Sequence, residues 1–242
     1  MSGHSKWATI KRKKEKTDSQ RAKIFTKIGR EIAVCVREGG ANPSENSKLL
    51  TLIAKAKANN VPNDNIDRII KKAAGEGGGA NYEELLYEGY GPGGVAVVVE
   101  SLTDNRNRTA GDLRHYFDKN GGNLGQKGCV AFLFTQQGQL IAEGEDINEE
   151  QFLEDALEAG ATDFFADEDV FDIRTEPADY LAVQEALTAK GYKIVSAEIA
   201  YIPSTETTLT DEEDIKKMER LLEMLEDNDD VQAVWHNLDA RD

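Results

Sequence analysis

Two cysteines in 242 residues, Cys35 and Cys129, cannot build a disulfide framework, and the chain reads as one that keeps its thiols reduced. Histidine is as scarce. His4, His115 and His236 lie far apart, none forms an H-x-x-x-H pair, and no cysteine pair has metal-ligand spacing. No apolar run approaches the roughly 18 residues that a membrane-spanning helix needs. The stretch from Met1 to Lys16 lacks the apolar segment of a secretory signal. These absences point to a cytoplasmic chain with no membrane contact, no metal and no cofactor. Catalytic signatures are missing as well. Gly91-Pro92-Gly93-Gly94 lacks the G-x-x-x-x-G-K-[ST] spacing of a phosphate loop and precedes a strand pattern, where such a loop precedes a helix. The acidic runs Asp167-Glu168-Asp169 and Asp211-Glu212-Glu213-Asp214 offer the carboxylates of a metal-dependent nuclease. The first reads better as a hairpin turn, and the second as a helix N-terminus whose acids offset the macrodipole. Cations are the minority, 29 Lys and Arg against 45 Asp and Glu for a net charge of −16, which argues against bulk adhesion to nucleic acid or anionic lipid.

The net charge conceals a division. Residues 1–78 carry 17 basic and 8 acidic side chains, hence +9, and residues 79–242 carry 12 and 37, hence −25. Within the second part the acid concentrates in 133–242, with 7 basic and 30 acidic residues. A basic head on an acidic body fits a polyanionic partner engaged at one end only.

Hydrophobic periodicity predicts three helices in the head. From Asp18, Ile24, Phe25, Ile28, Ile32 and Val36 recur at three- and four-residue steps, and Gly39-Gly40 stop the helix. A second helix is expected from Asn42 as N-cap with Pro43 in first position, carrying Leu49, Leu52, Ile53 and Ala56 inward. A third is expected from Pro62-Asn63-Asp64 to Gly75. Beyond a glycine linker, strands are predicted at Glu84–Tyr90, Val95–Leu102 and Cys129–Phe134, with a helix running to Lys119 after a polar loop at 103–109. The string Gly121-Gly122-Asn123-Leu124-Gly125 reads as a helix stop.

From Gln137 the order is strand Gln139–Ala142, helix Asn148–Ala159 with Phe152, Leu153, Ala156 and Leu157 inward, strands Ala161–Ala166 and Val170–Arg174, helix Pro177–Ala189, and strand Tyr192–Ile202. That β-α-β-β-α-β order is ferredoxin-like. A helix Asp211–Glu226 and a strand Val231–Trp235 remain, too little for a domain of their own. The expected fold class is therefore α+β and multidomain. It comprises a basic arm plus three-helix bundle (1–78), a discontinuous α+β domain (79–135 and 203–242), and an inserted acidic ferredoxin-like domain (136–202).

Two segments offer chemistry suited to nucleic acid. Lys6, Lys11, Arg12, Lys13, Lys14, Arg21, Lys23, Lys27 and Arg30 crowd cations into the arm and first helix, and Trp7 adds an aromatic ring for stacking on a base. The competing reading is a solubilising tail with Trp7 folded back onto the helix. In the loop from Asp104 to Thr109, Asn105 and Asn107 bring amides, and Arg106 and Arg108 bring planar forks matched to phosphate. The competing reading is a capped helix start whose arginines pair with local carboxylates. The acidic body either keeps the protein soluble, orients it on a polyanion by repulsion, or docks a basic protein partner.

Several separated stretches resemble the YebC family. They are Gly3-His4-Ser5-Lys6-Trp7-Ala8 with Ile10-Lys11, the run from Tyr87 to Ala96, Thr103-Asp104-Asn105-Arg106-Asn107-Arg108-Thr109, and Gly121-Gly122-Asn123-Leu124-Gly125. The resemblance spans essentially the whole chain. It implies a cytoplasmic, non-enzymatic transcriptional regulator that binds DNA. The family's mitochondrial relatives are translational activators and bacterial members are linked to the ribosome, which leaves a translation factor on ribosomal RNA as the alternative and a nuclease as a remote one. The resemblance also implies a helical N-terminal domain followed by two α+β domains, one inserted in the other. The chain carries no helix-turn-helix, zinc-finger or RRM signature, so base-specific readout finds no support in it.

Overall fold

The computed structural model describes residues 18–75, 81–144, 147–167 and 170–239, with backbone alone at 18–21, 58 and 167. The first three helices are α1 (Asp18–Gly39), α2 (Ser47–Ala58) and α3 (Asn63–Ala74). Their apolar stripes meet in one core of Ile28, Ile32, Cys35 and Val36 from α1, Leu49, Leu52 and Ala56 from α2, and Ile66 from α3. The second helix starts four residues later than the Asn42-Pro43 pattern suggests. Asn46 is its cap. The Asn46 side chain accepts from the Leu49 amide at 3.1 Å and donates to the carbonyls of Cys35 at 3.1 Å and Gly40 at 2.9 Å. One buried amide thus serves the end of α1 and the start of α2 together. Asn42 closes only a local turn, accepting from the Ser44 amide.

A four-stranded sheet follows, in the order β3-β1-β2-β8, from β1 (Glu83–Tyr90), β2 (Ala96–Thr103), β3 (Asn123–Leu124) and β8 (Val231–His236). All of its pairings are antiparallel. Between β1 and β2, Pro92–Gly94 form a tight turn in which Gly93 has φ +62° and Gly94 φ +78°. The glycines serve backbone geometry there. Two helices, α4 (Arg106–Lys119) and α7 (Glu212–Asp227), cover one face, where Val95, Val97 and Val99 meet Leu113, Phe117, Met218, Leu221 and Leu225. On the other face Ala96 and Val98 pack with Phe134, Ala200 and Trp235. Burial on both faces explains why β2 shows an unbroken apolar run in place of alternation.

The second sheet has the order β5-β6-β4-β7. Its elements are β4 (Phe134–Glu143), α5 (Glu149–Ala159), β5 (Asp163–Asp167), β6 (Val170–Thr175), α6 (Tyr180–Ala189) and β7 (Ile194–Pro203). Here too every pairing is antiparallel. This is the expected ferredoxin-like unit, with its first and third strands side by side, and it lies in the chain between β3 and β8 of the first sheet. Phe152 anchors the core, stacked on Tyr192 at 4.1 Å and edge-on to Phe171. The α+β fold class, with a helical head and an inserted unit, is the one expected.

Four local expectations are corrected. Cys129–Phe134 is not a strand: Ala131–Leu133 form a single 3-10 turn, and β4 begins only at Phe134. The strand expected from Gln139 is ten residues long, because its first half pairs with β7. In α5 the buried pair is Phe152 and Ala156, leaving Leu153 and Leu157 exposed at 37% and 53%. One large ring and one alanine fill the space beside the sheet. Finally, α6 begins at Tyr180 after a turn through Pro177.

Asn46→Ala is expected to cost about 2–3 kcal/mol, from the lost cap and two deprived carbonyls. Asn42→Ala should stay within about 0.5 kcal/mol. The denaturant midpoint of the helical signal in the full chain measures both. Equal midpoints for the two variants would contradict the role given to Asn46.

Candidate nucleic-acid interface

Of the cations proposed for nucleic acid, Lys6, Lys11, Arg12, Lys13 and Lys14 lie outside the described residues, as does Trp7. Arg21 sits on α1, and its side chain is not among those described. Lys23, Lys27 and Arg30 fall at i, i+4 and i+7 and therefore on one face of the helix. That face is docked. Lys23 pairs with Asp227 at 3.0 Å, Lys27 donates to the Glu226 carbonyl at 2.7 Å, and Arg30 donates to the Asp229 carbonyl at 2.8 Å. The guanidinium of Arg30 also lies over the Tyr82 ring, 5.4 Å from its centre. The receiving surface is the C-terminal end of α7 and the turn into β8. Helix α7 has no basic residue in its last turn, and the lysines of α1 supply the cations that its exposed carbonyls and negative dipole end attract.

The centre of this contact is Asp230, only 4% exposed. Its Oδ1 accepts from Arg30 at 2.8 Å. Its Oδ2 accepts from Arg108 at 2.8 Å, Thr109 at 2.8 Å and Thr103 at 3.2 Å. Burial pushes this carboxyl upward, but the hydrogen bonds from Arg108, Thr109 and Arg30 outweigh burial and hold it below its ordinary 3.8.

The stretch from Thr103 to Thr109 is accordingly the capped helix start of the competing reading, and only one of its two arginines, Arg108, pairs with carboxylates. Asn105 caps α4, its side chain accepting from the Arg108 amide at 3.1 Å. Arg106 and Arg108 lie within the first turn of that helix. Arg108 bridges Asp230 and Asp104, the latter at 2.9 Å, although its side chain stays 46% exposed. Arg106 and Asn107 point to solvent. Arg106 has no ion-pair partner among the described residues, and its carbonyl accepts from the Tyr87 hydroxyl at 3.3 Å.

Sequence reasoning passed over two features. The first is Asp230, which lies in the acidic stretch Asp227-Asn228-Asp229-Asp230 between the expected last helix and last strand. Its only visible signal was its place immediately before an apolar strand. The second is a set of exposed cations, Lys57 on α2 and Arg68, Lys71 and Lys72 on α3. Of the candidates named in advance, the structure brings Lys23, Lys27, Arg30 and Arg108 together around one acidic turn and leaves Arg106 apart.

A cleft of about 2160 Å³ opens between α1 and α2 on one side and β2, β7, β8 and α6 on the other. Its wall is acidic. Lys55 bridges Glu31 at 2.9 Å, and burial together with Glu31, Glu84 and Glu198 raises the Glu100 carboxyl despite Lys55 nearby. Such a surface repels phosphate. Among the described residues there is no group of three or more His, Cys, Asp or Glu side chains placed to hold a metal ion, and no helix long and apolar enough to cross a membrane.

Comparison with known proteins covers nearly all of the chain. Residues 5–76 match a family described as "TACO1/YebC protein N-terminal domain", and residues 82–238 match "TACO1/YebC second and third domain". A relative from Ruminiclostridium cellulolyticum, named "Probable transcriptional regulatory protein", is 61% identical over 98% of this chain and 96% of its own length. One of the same name from Acetivibrio thermocellus is 58% identical over 98% of both chains. The crystal structure of a conserved hypothetical protein from Aquifex aeolicus superposes with a TM-score of 0.84 at 47% identity, covering 93% of this chain and 92% of that one.

Asp230→Asn should cost about 1–3 kcal/mol and loosen α1 from the end of α7. Because the folded-state pKa of Asp230 lies below its unfolded value, its contribution is complete above pH ~4 and is lost as pH falls through the folded-state value. A fluorescence distance between labels on α1 and α7 should lengthen in the variant at neutral pH, and in the parent only on acidification. A distance insensitive to both changes would show that other contacts hold the helix.

Proposed function

The chain belongs to the TACO1/YebC family, and on that footing we propose that it is a cytoplasmic, non-enzymatic regulator of gene expression that binds nucleic acid through its basic head. The observation that carries this reading is the segregation of charge, +9 over residues 1–78 against −25 over the rest. Each phosphate neutralised by a lysine or arginine releases a condensed counterion, and that term does not depend on the base. We assign the contact to Lys6, Trp7, Lys11, Arg12, Lys13, Lys14 and Arg21, with Lys23, Lys27 and Arg30 at its inner margin and Asn105, Arg106, Asn107 and Arg108 at its far side. The names of the relatives favour a role in transcription.

One observation favours the second reading, a translation factor on ribosomal RNA. The longest basic helix, α1, has its Lys23, Lys27 and Arg30 face engaged by the α7–β8 turn. A helix so occupied is poorly placed to enter a major groove, and recognition by backbone and shape suits structured RNA. The acidic segment then keeps the molecule oriented, or receives a basic protein, while the head engages phosphate.

Salt titration tests the site. With about six phosphates contacted, the log–log slope is expected at roughly −4 to −5, and removal of residues 1–17 should take away a sizeable part of it. Arg106→Gln should flatten the slope by about 0.7–0.9 without altering the melting temperature. Arg108→Gln should instead lower stability, since it deprives Asp230 of a donor. An unchanged slope after removal of the arm would take the arm out of the site.

A further inference from the structure

We propose that Phe132 is a stacking platform for an unpaired nucleobase, presented by the rigid turn that joins the two sheets. The inference rests on the reading of the protein as a nucleic-acid binder and adds to it a contact outside the basic head, with a preference for single-stranded or splayed-out nucleotides.

Phe132 is 73% exposed, the most exposed large apolar side chain among the described residues. Water around an isolated ring is unfavourable, and a mobile loop would relieve it by folding the ring inward. This turn is held from several directions. The Glu88 carboxylate, only 2% exposed, accepts backbone N–H groups from Gly128 at 2.7 Å, Val130 at 2.9 Å and Ala131 at 2.7 Å. The Tyr90 hydroxyl donates to the Cys129 carbonyl at 3.1 Å. Ser204 donates its amide, at 2.8 Å, and its hydroxyl, at 3.0 Å, to the Leu133 carbonyl. Val130 and Phe134, two residues to either side, are buried in the core between the sheets. With its neighbours fixed inward, the Phe132 ring stands in solvent.

The electrostatics of the segment suit a phosphate chain. From Lys119 to Ala142 the sequence holds two lysines and no carboxylate, in a body that is otherwise strongly acidic. The Glu88 carboxylate beneath the turn is consumed by three backbone donors. Exposed Asn123, Gln126, Lys127, Thr135 and Gln136 flank the ring in sequence, so the segment that carries it also carries hydrogen-bonding groups and a cation. A protein-docking hot spot would sit among further apolar side chains. The other large exposed apolar residues, such as Leu153, Leu157 and Phe165, belong to different elements. An aromatic ring with polar neighbours and a lysine matches the stacking surfaces that bind single strands without regard to sequence. Bases within a duplex are already stacked, so the contact discriminates in favour of unpaired ones.

The test uses the full chain with single-stranded RNA and DNA oligonucleotides and a duplex of the same sequence, read by fluorescence anisotropy at fixed salt. Phe132→Ala should weaken single-strand binding about 5- to 100-fold, leave the salt slope and melting temperature unchanged, and leave duplex binding as in the parent. Phe132→Trp should retain single-strand affinity, with its added fluorescence quenched by the oligonucleotide. Lys127→Gln should lower single-strand affinity and flatten the slope by about 0.7. Single-strand affinity untouched by Phe132→Ala, or equal losses on single strand and duplex, would overturn the stacking role while the basic-head reading stands. A parent protein that binds neither form at low salt would defeat both.

Discussion

Asp230 holds together parts of the chain that are far apart in sequence. Its two oxygens receive Arg30 from the bundle, Arg108 and Thr109 from the first turn of α4, and Thr103 from the end of β2. Breaking any one of these leaves a buried carboxylate short of a donor, which is costlier than the bond itself is worth. The same acid therefore fixes where α4 starts, how β2 ends and where the helical head sits. The lysines of α1 extend the contact along the end of α7, where they meet carbonyls left without partners by the helix itself. The basic face of the head is thus engaged internally by the acidic turn, and the phosphate contact proposed for the head would compete for the same cations.

Legibility in the sequence followed the range of the interaction. Elements defined by local periodicity emerged with small errors. α3 begins where Pro62-Asn63-Asp64 indicates, α7 is capped by Asp211 at the head of its acidic run, and β2 is the buried strand its valines imply. The order of elements after Gln137 was enough to identify the ferredoxin-like unit, and the incompleteness of what flanked it was enough to infer insertion. Misreadings arose where a distant partner decided the outcome. Asn42 and Asn46 are equally good caps on paper, and only the carbonyls of Cys35 and Gly40 select Asn46. Cys129–Phe134 looks like a strand until the Glu88 carboxylate takes two of its amides, Val130 and Ala131, with that of Gly128 just before it, and curls it.

The candidate site was less legible than the fold for the same reason. Cation density locates a basic head, but whether a given cation faces solvent or a carboxylate is a tertiary fact. Arg106 and Arg108 are two residues apart in a repetitive motif, yet one points to water and the other bridges two aspartates. The partner that separates them, Asp230, lies more than a hundred residues downstream in a run that resembles many solvent-facing acidic turns.

The ends of the inserted unit have a geometric consequence. Its first and last strands, β4 and β7, are neighbours, with Phe134 opposite Pro203, so the chain enters and leaves the inserted unit one strand spacing apart, about 4.8 Å, although β3 and β8, the strands of the first sheet on either side of it in sequence, lie at opposite edges of that sheet. At its own neck, the whole insertion is equivalent in span to a tight turn. A pulling force applied through the host would enter the insertion at two adjacent strand ends and peel that pair open one hydrogen bond at a time, so it would part at lower force than a pair sheared along its length. Over evolutionary time the same neck lets the excursion lengthen, shrink or be exchanged while the strands on either side keep their registers.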